Sequence, residues 1–181
     1  MARPFYYFIM SIRPSASKEI LLREDRVLFL DVDGVLNSSQ YLKDRPRRTW
    51  PFGHIDPATV QLLNKVVRET GCKIVISSSW RVILTYRSIR GLLARRGFEF
   101  ASHIADQTPR GGFESRGMEI QAWLDEHPEV SDFVIVDDDM DMAHLMPNLV
   151  KTSWHSGLTM RGAESIIKGL TSGQTSVTVL P

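Results

Sequence analysis

Short apolar runs alternate with stretches of helical periodicity along this chain. Val27–Leu30 is a continuous apolar run ending in Asp31, Ile74–Ile76 is one ending in Ser77–Ser79, and Phe133–Val136 is one ending in Asp137–Asp139. A weaker run covers Leu149–Thr152. Unbroken apolar runs of this length predict parallel strands buried on both faces, because a strand with one wet face would alternate. Between them, Asp56–Thr70 spaces Val60, Leu63 and Val67 along one helical face, with Pro57 suited to a first turn and Gly71 to a C-terminal cap. Tyr86–Arg96, Gly117–Glu126 and Ala163–Leu170 predict three more helices, carrying Ile89, Leu92 and Leu93 in the first of these and Ile120, Trp123 and Leu124 in the second. The alternation predicts an α/β domain with a doubly wound parallel sheet over residues 25–181. Residues 1–24 are expected to be an extension, loosely ordered or adding an edge element.

Composition narrows the class without naming a chemistry. The chain has 181 residues, 43% of them hydrophobic and 24% charged, with a formal net charge of +1. That suits one globular domain and provides no global field for nucleic acid or membrane. Its single cysteine, Cys72, excludes an intrachain disulfide, which fits a reducing, cytoplasmic setting. No apolar run approaches the roughly 20 residues of a membrane span, and Phe5–Met10 is short for a secretory core. The five histidines show no paired metal-ligand spacing.

The chemistry lies where the strands end. In open α/β sheets ligands bind beyond the carboxyl ends of the strands, and there the chain reads Asp31-Val32-Asp33-Gly34-Val35-Leu36-Asn37 and Asp137-Asp138-Asp139, with Asp141 beyond. Gly34 permits a sharp turn. If the two strand ends are neighbours, four or more carboxylates converge, and their repulsion calls for a hard cation; Mg²⁺ suits a few carboxylates and a substrate phosphate. Taken singly, either cluster could be a solvated loop; the pairing of both with strand ends favours a metal site. A calcium loop fails, since its first ligand would be Phe29 and its last Gln40. Asp139 is expected to cap a following helix.

These residues resemble known motifs. Phe29–Asn37, an apolar strand followed by Asp-x-Asp-Gly, resembles the first motif of the haloacid dehalogenase-like (HAD) hydrolases. Ile74–Ser79 resembles their second motif and Phe133–Asp138 their fourth. The third, a lone Lys or Arg, is best matched by Arg116, with Arg110 as runner-up. Ser77-Ser78-Ser79-Trp80-Arg81, Thr108-Pro109, Arg116–Ile120, Trp123-Leu124 and Gly157-Leu158-Thr159 together look like the HAD domain of Swiss-Army-knife RNA repair proteins, over about residues 26–170. The chain is similar, more distantly, to the phosphatase domain of phage polynucleotide kinase.

The resemblance implies a Rossmann-like fold and a Mg²⁺-dependent phosphatase working through an aspartyl-phosphate. Asp31 would be the nucleophile and Asp33 the acid and base. Asp31, the Asp33 backbone carbonyl, Asp137 and Asp138 would hold the metal, with Asp138 the second choice among the carboxylates. Ser78, or Ser77 if the strand ends one residue earlier, and Arg116 would bind phosphate. Cap domains of this superfamily need many tens of residues, and neither Asn37–Asp56 nor Arg81–Arg116 has the room, so the fold is expected to be capless and its site open. Open sites suit large substrates such as RNA or DNA ends. The segment Tyr41–Phe52 interleaves cations and aromatics that could meet backbone and bases, so Arg47, Arg48 and Trp50, with Asn37, Trp80 and Arg81, are candidate substrate contacts. Small phosphorylated metabolites, nucleotides or phosphoproteins stay open as substrates, as does a non-catalytic nucleic-acid-binding module.

Overall fold

The computed structural model describes residues 20–45 and 54–172. Arg47, Arg48 and Trp50 lie outside the described residues. The strands are β1 (Arg23–Leu30), β2 (Cys72–Ile76), β3 (Ile104–Gln107), β4 (Asp132–Asp137) and β5 (Leu149–Lys151). They form one five-stranded sheet in the order β3-β2-β1-β4-β5, with every pairing parallel. The helices are α1 (Ser39–Leu42), α2 (Pro57–Thr70), α3 (Tyr86–Arg95), α4 (Arg116–Asp125) and α5 (Met160–Ser172). The first strand begins inside the expected extension, since Arg23 and Glu24 already belong to it. The last helix starts three residues before the expected Ala163.

The apolar runs are buried on both faces, as their lack of alternation requires. Leu28 and Leu30 of β1 face a core built with α2, α3 and α5 through Val60, Leu63, Val67, Ile89, Leu93, Ile166 and Leu170. Val27 and Phe29 face a second core with Ile120 and Trp123 of α4 and with Met142 and Leu145. Helices therefore cover both sides of the sheet. Phe29 is wedged edge-on against Trp123 and Phe133, at centroid distances of 5.4 and 5.9 Å.

Local signals set the helix ends. Asp56 caps α2, its side chain accepting from the Ala58 N–H at 2.9 Å, while Gly71 closes that helix in the left-handed conformation at φ 67°. Ser115 caps α4, accepting from Met118 N–H. One expected cap is corrected: the next helical stretch, a 3₁₀ helix over Ala143–Asn148, has Met142 at its N-cap, and the Asp139 carboxylate instead accepts from the N–H of Met140. The connection from β2 to α4 holds only α3, β3 and short 3₁₀ turns, so no cap domain is found among the described residues.

Candidate active site

The register of the sheet brings the strand ends level. Leu30 pairs with Ile76 on one side and Val136 on the other, so Asp31 emerges between Ser77 and Asp137. Backbone bonds extend the alignment: Asp31 N–H donates to Val136 O (3.1 Å), Ser77 N–H to Leu30 O (2.9 Å) and Thr152 N–H to Asp137 O (2.8 Å). Asp31 and Asp137 are both at least 96% buried.

Beyond Asp31 the chain folds back on itself, with the N–H groups of Val35, Leu36 and Asn37 all pointing at Val32 O. Gly34 makes this possible. It sits at φ 68°, and a Cβ there would lie 2.2 Å from Cγ of Asp138. The glycine thus provides both the left-handed turn and the space into which Asp138 leans. Carboxylate oxygens of Asp31, Asp137 and Asp138 come within 4.8 Å of one another.

Arg116 stands over this cluster. Its guanidinium lies 3.4 Å from Asp31 and 3.2 Å from Asp137, and it donates to Ser77 O. Its helix is locked in place by the loop after β4: Arg116 N–H donates to the Asp141 carboxylate (3.1 Å) and Gly117 N–H to Asp141 O (3.1 Å). A Cβ at Gly117 would meet Met142 O at 2.2 Å, so only glycine lets α4 come this near. Arg110 instead donates to Val82 O from an exposed position. Of Arg116 and Arg110, the fold brings Arg116 to the acids.

The Ser78 hydroxyl lies close enough to the Asp31 carboxylate to favour its charged form. The Ser77 hydroxyl is buried with no hydrogen-bond partner among the described residues. Asp33 lies in the turn after Asp31, and its two oxygens are held separately: Asn37 Nδ2 donates to Oδ1 at 2.7 Å and Trp80 Nε1 to Oδ2 at 2.8 Å.

Three expected substrate contacts are therefore placed differently. Asn37 and Trp80 are each only 2% exposed and point inward at Asp33. Arg81, 6% exposed, donates to Ser78 O at 2.7 Å and forms an ion pair with Glu119 of α4. Burial takes all three away from the mouth. Trp80 and Arg81 follow the second motif in sequence, but Asp33 and Glu119 as their partners lie 47 and 38 residues away, and no local pattern marks them.

The electrostatics call for a cation. Burial pushes the Asp31 carboxyl up to about 6, against the pull of Arg116 and Ser78. Burial and the neighbouring Asp31 push Asp137 up to about 8. Burial also raises Asp138. Three ionised carboxylates and one guanidinium leave two negative charges in a low-dielectric pocket. Although Arg116 lies near it, Asp137 Oδ2 is buried without a hydrogen-bond partner. A buried carboxylate oxygen that accepts no hydrogen bond, an all-oxygen donor set and a net charge of minus two fit a hard divalent ion.

Comparison with curated proteins and with solved structures gave no match. A family model does match, over residues 27–163, and its span runs from β1 into α5 and takes in all of the acids, Ser78 and Arg116. On that match, and on the parallel sheet that carries these side chains, the chain belongs to the family described as the HAD domain in Swiss Army Knife RNA repair proteins.

Proposed function

We propose that this protein is a Mg²⁺-dependent phosphomonoesterase that acts on a polynucleotide end, with Asp31 as its nucleophile. The observation that carries the reading is the setting of Asp31. Its carboxylate is buried, favoured in its charged form by the nearby Ser78 hydroxyl, paired with Arg116 and joined by two further carboxylates within 4.8 Å. A carboxylate is a weak nucleophile, and such surroundings orient it and balance the charge of an incoming phosphate.

Asp31 attacks phosphorus in line; its O–P bond forms as the bond to the leaving oxygen breaks. Asp33 gives that oxygen a proton. A water then attacks the aspartyl-phosphate, Asp33 takes the water's proton, and inorganic phosphate leaves with Asp31 restored. Asn37 and Trp80 fix the direction in which Asp33 faces throughout. Arg116 and Ser78 hold the phosphoryl oxygens, the planar guanidinium suiting a phosphate edge. Asp31, Asp137 and Asp138, with the Asp33 backbone carbonyl, would hold the Mg²⁺, which when bound supplies charge neutralisation at the phosphate.

The absence of a cap among the described residues supports a large substrate. So does the surface around the strand ends, where Ile83, Phe113, Met140 and Trp154 are exposed apolar side chains on neighbouring loops. The test is release of phosphate from 3′- and 5′-phosphorylated oligonucleotides in Mg²⁺. Asp31→Asn is expected to abolish it. Turnover retained in that variant, or free nucleotides hydrolysed far faster than oligonucleotides, would overturn the reading.

A further inference from the structure

A cavity lies next to the loop that carries Asp138. Beyond β5 the chain makes a turn, Ser153 bridging to Gly157, before α5 begins. This turn and the start of α5 enclose a cavity of about 180 Å³, with Lys151, Ser153, Ser156, Thr159 and Arg161 in its lining and no acidic residue. A water takes about 30 Å³, so a phosphate group and several waters fit. The wall is shared with the acid cluster: Lys151 Nζ donates to Asp138 O at 3.1 Å, and Thr152 Oγ1 donates to Gly34 O at 2.7 Å.

The lining consists of hydrogen-bond donors. Lys151 has three N–H bonds, two of them directed to backbone carbonyls, which leaves one. The exposed Arg161 has no ion pair or side-chain hydrogen bond among the described residues. The oxygens of Ser153 and Thr159 accept from the N–H groups of His155 and Gly162, so their protons are left to donate outward. The Asp138 carboxylate offsets part of the Lys151 charge, but Arg161 has no acidic partner in the lining, and with the hydroxyls it selects an anion. The same turn presents Trp154, 42% exposed, while its carbonyl is held by the N–H of Ser39. An exposed indole on the same turn as a phosphate-sized, cationic cavity fits a nucleotide, with its phosphate inside and its base on the ring.

Resting on the polynucleotide reading above, we infer that this cavity is a subsite for the backbone phosphodiester next to the terminal phosphate, with Arg161 and Lys151 as its cations and Trp154 as the platform for the adjoining base. A chain whose end reaches Asp31 would pass this wall.

The test is binding of a labelled, end-phosphorylated RNA hexanucleotide to the full chain carrying Asp31→Asn, over a range of salt, with a nucleoside monophosphate and a nucleoside 3′,5′-bisphosphate measured alongside. Adding Arg161→Gln is expected to lower the ratio of hexanucleotide to monophosphate affinity about tenfold and to flatten the salt dependence by about 0.7 of a logarithmic unit, the share of one single-strand phosphate contact. Trp154→Ala is expected to lower the same ratio. Lys168→Gln, roughly two turns along the same helix, is expected to leave it as it is. An unchanged ratio and salt slope with Arg161→Gln would overturn the subsite, and a bisphosphate binding as tightly as the hexanucleotide would overturn its assignment to a polynucleotide. Turnover by the unsubstituted protein is scored separately. Arg161-sensitive binding without turnover defeats the proposed activity and spares the subsite; turnover with Arg161-insensitive binding does the reverse.

Discussion

The indole N–H of Trp80 donates to Oδ2 of Asp33 at 2.8 Å, across 47 residues of sequence, while Asn37 holds the other oxygen. The acid–base carboxylate of the proposed reaction is thus gripped from both sides by buried donors. Trp80→Phe keeps an aromatic ring in the core and removes the N–H together with part of the indole's volume. A hydrogen bond to a charged group contributes about 1.5–3 kcal/mol, so the expected loss in kcat is tenfold to a hundredfold, with KM little changed. Steady-state kinetics on a phosphorylated oligonucleotide separates the two constants; a purely structural role would instead lower the melting temperature and leave kcat alone.

Gly34→Ala is expected to damage the cation site more than the fold. The residue sits at φ 68°, and the new methyl would lie 2.2 Å from Asp138 Cγ. Strain of this kind costs roughly 1–3 kcal/mol, and Asp138 must move to relieve the clash. The expected result is a modest fall in melting temperature together with loss of most Mg²⁺-induced stabilisation, both read by thermal denaturation with and without the ion.

The acid cluster makes stability depend on pH in a definite direction. Asp31 and Asp137 are raised from the ordinary 3.8 to about 6 and about 8 in the cation-free protein. Between these values the folded chain holds more protons than the unfolded one, so their contribution is full at low pH and is lost as pH rises through the folded values. In chelator, the melting temperature of the wild type is expected to fall relative to Asp137→Asn between about pH 5 and pH 8. Mg²⁺ displaces these protons, so its stabilisation should grow over the same interval and be largely absent from the variant. A Mg²⁺ effect that is flat with pH would count against the assignment.

Arg81 and Glu119 tie the loop after β2 to α4, the helix that carries Arg116. Arg81 is buried and Glu119 half-buried, so removing Arg81 leaves a part-solvated charge without its partner, at a cost below the roughly 3–5 kcal/mol of a fully buried pair. Arg81→Met is expected to lower the denaturation midpoint accordingly. The double variant Arg81→Met, Glu119→Leu should regain most of the stability, because the stranded carboxylate is gone. Activity should recover less than stability if the pair also positions Ser78 and Arg116.

What the sequence determined by itself was the sheet and the acids. Unbroken apolar runs such as Val27–Leu30 and Phe133–Val136 mark buried parallel strands on local evidence, since burial on both faces leaves no room for alternation. The polar residues that end those runs had to emerge on one edge of the sheet, where Asp31, Ser78 and Asp137 are found. The short intervals after the first and second motifs likewise left no length for a cap. The sequence did not disclose which way the neighbouring side chains face. Asn37, Trp80 and Arg81 lie beside the motifs in the chain and read as contacts for substrate, yet each is buried: Asn37 is bonded within its own loop to Asp33, and Trp80 and Arg81 are bonded to Asp33 and Glu119, which only folding brings near. Lys151 and Arg161 gave no sequence signal at all, because a cavity between the end of β5 and the start of α5 exists only once both are packed against the sheet. Strand identity follows from short-range hydrophobic pattern, whereas the direction of a polar side chain follows from long-range partners and from the cost of leaving a buried donor unmatched.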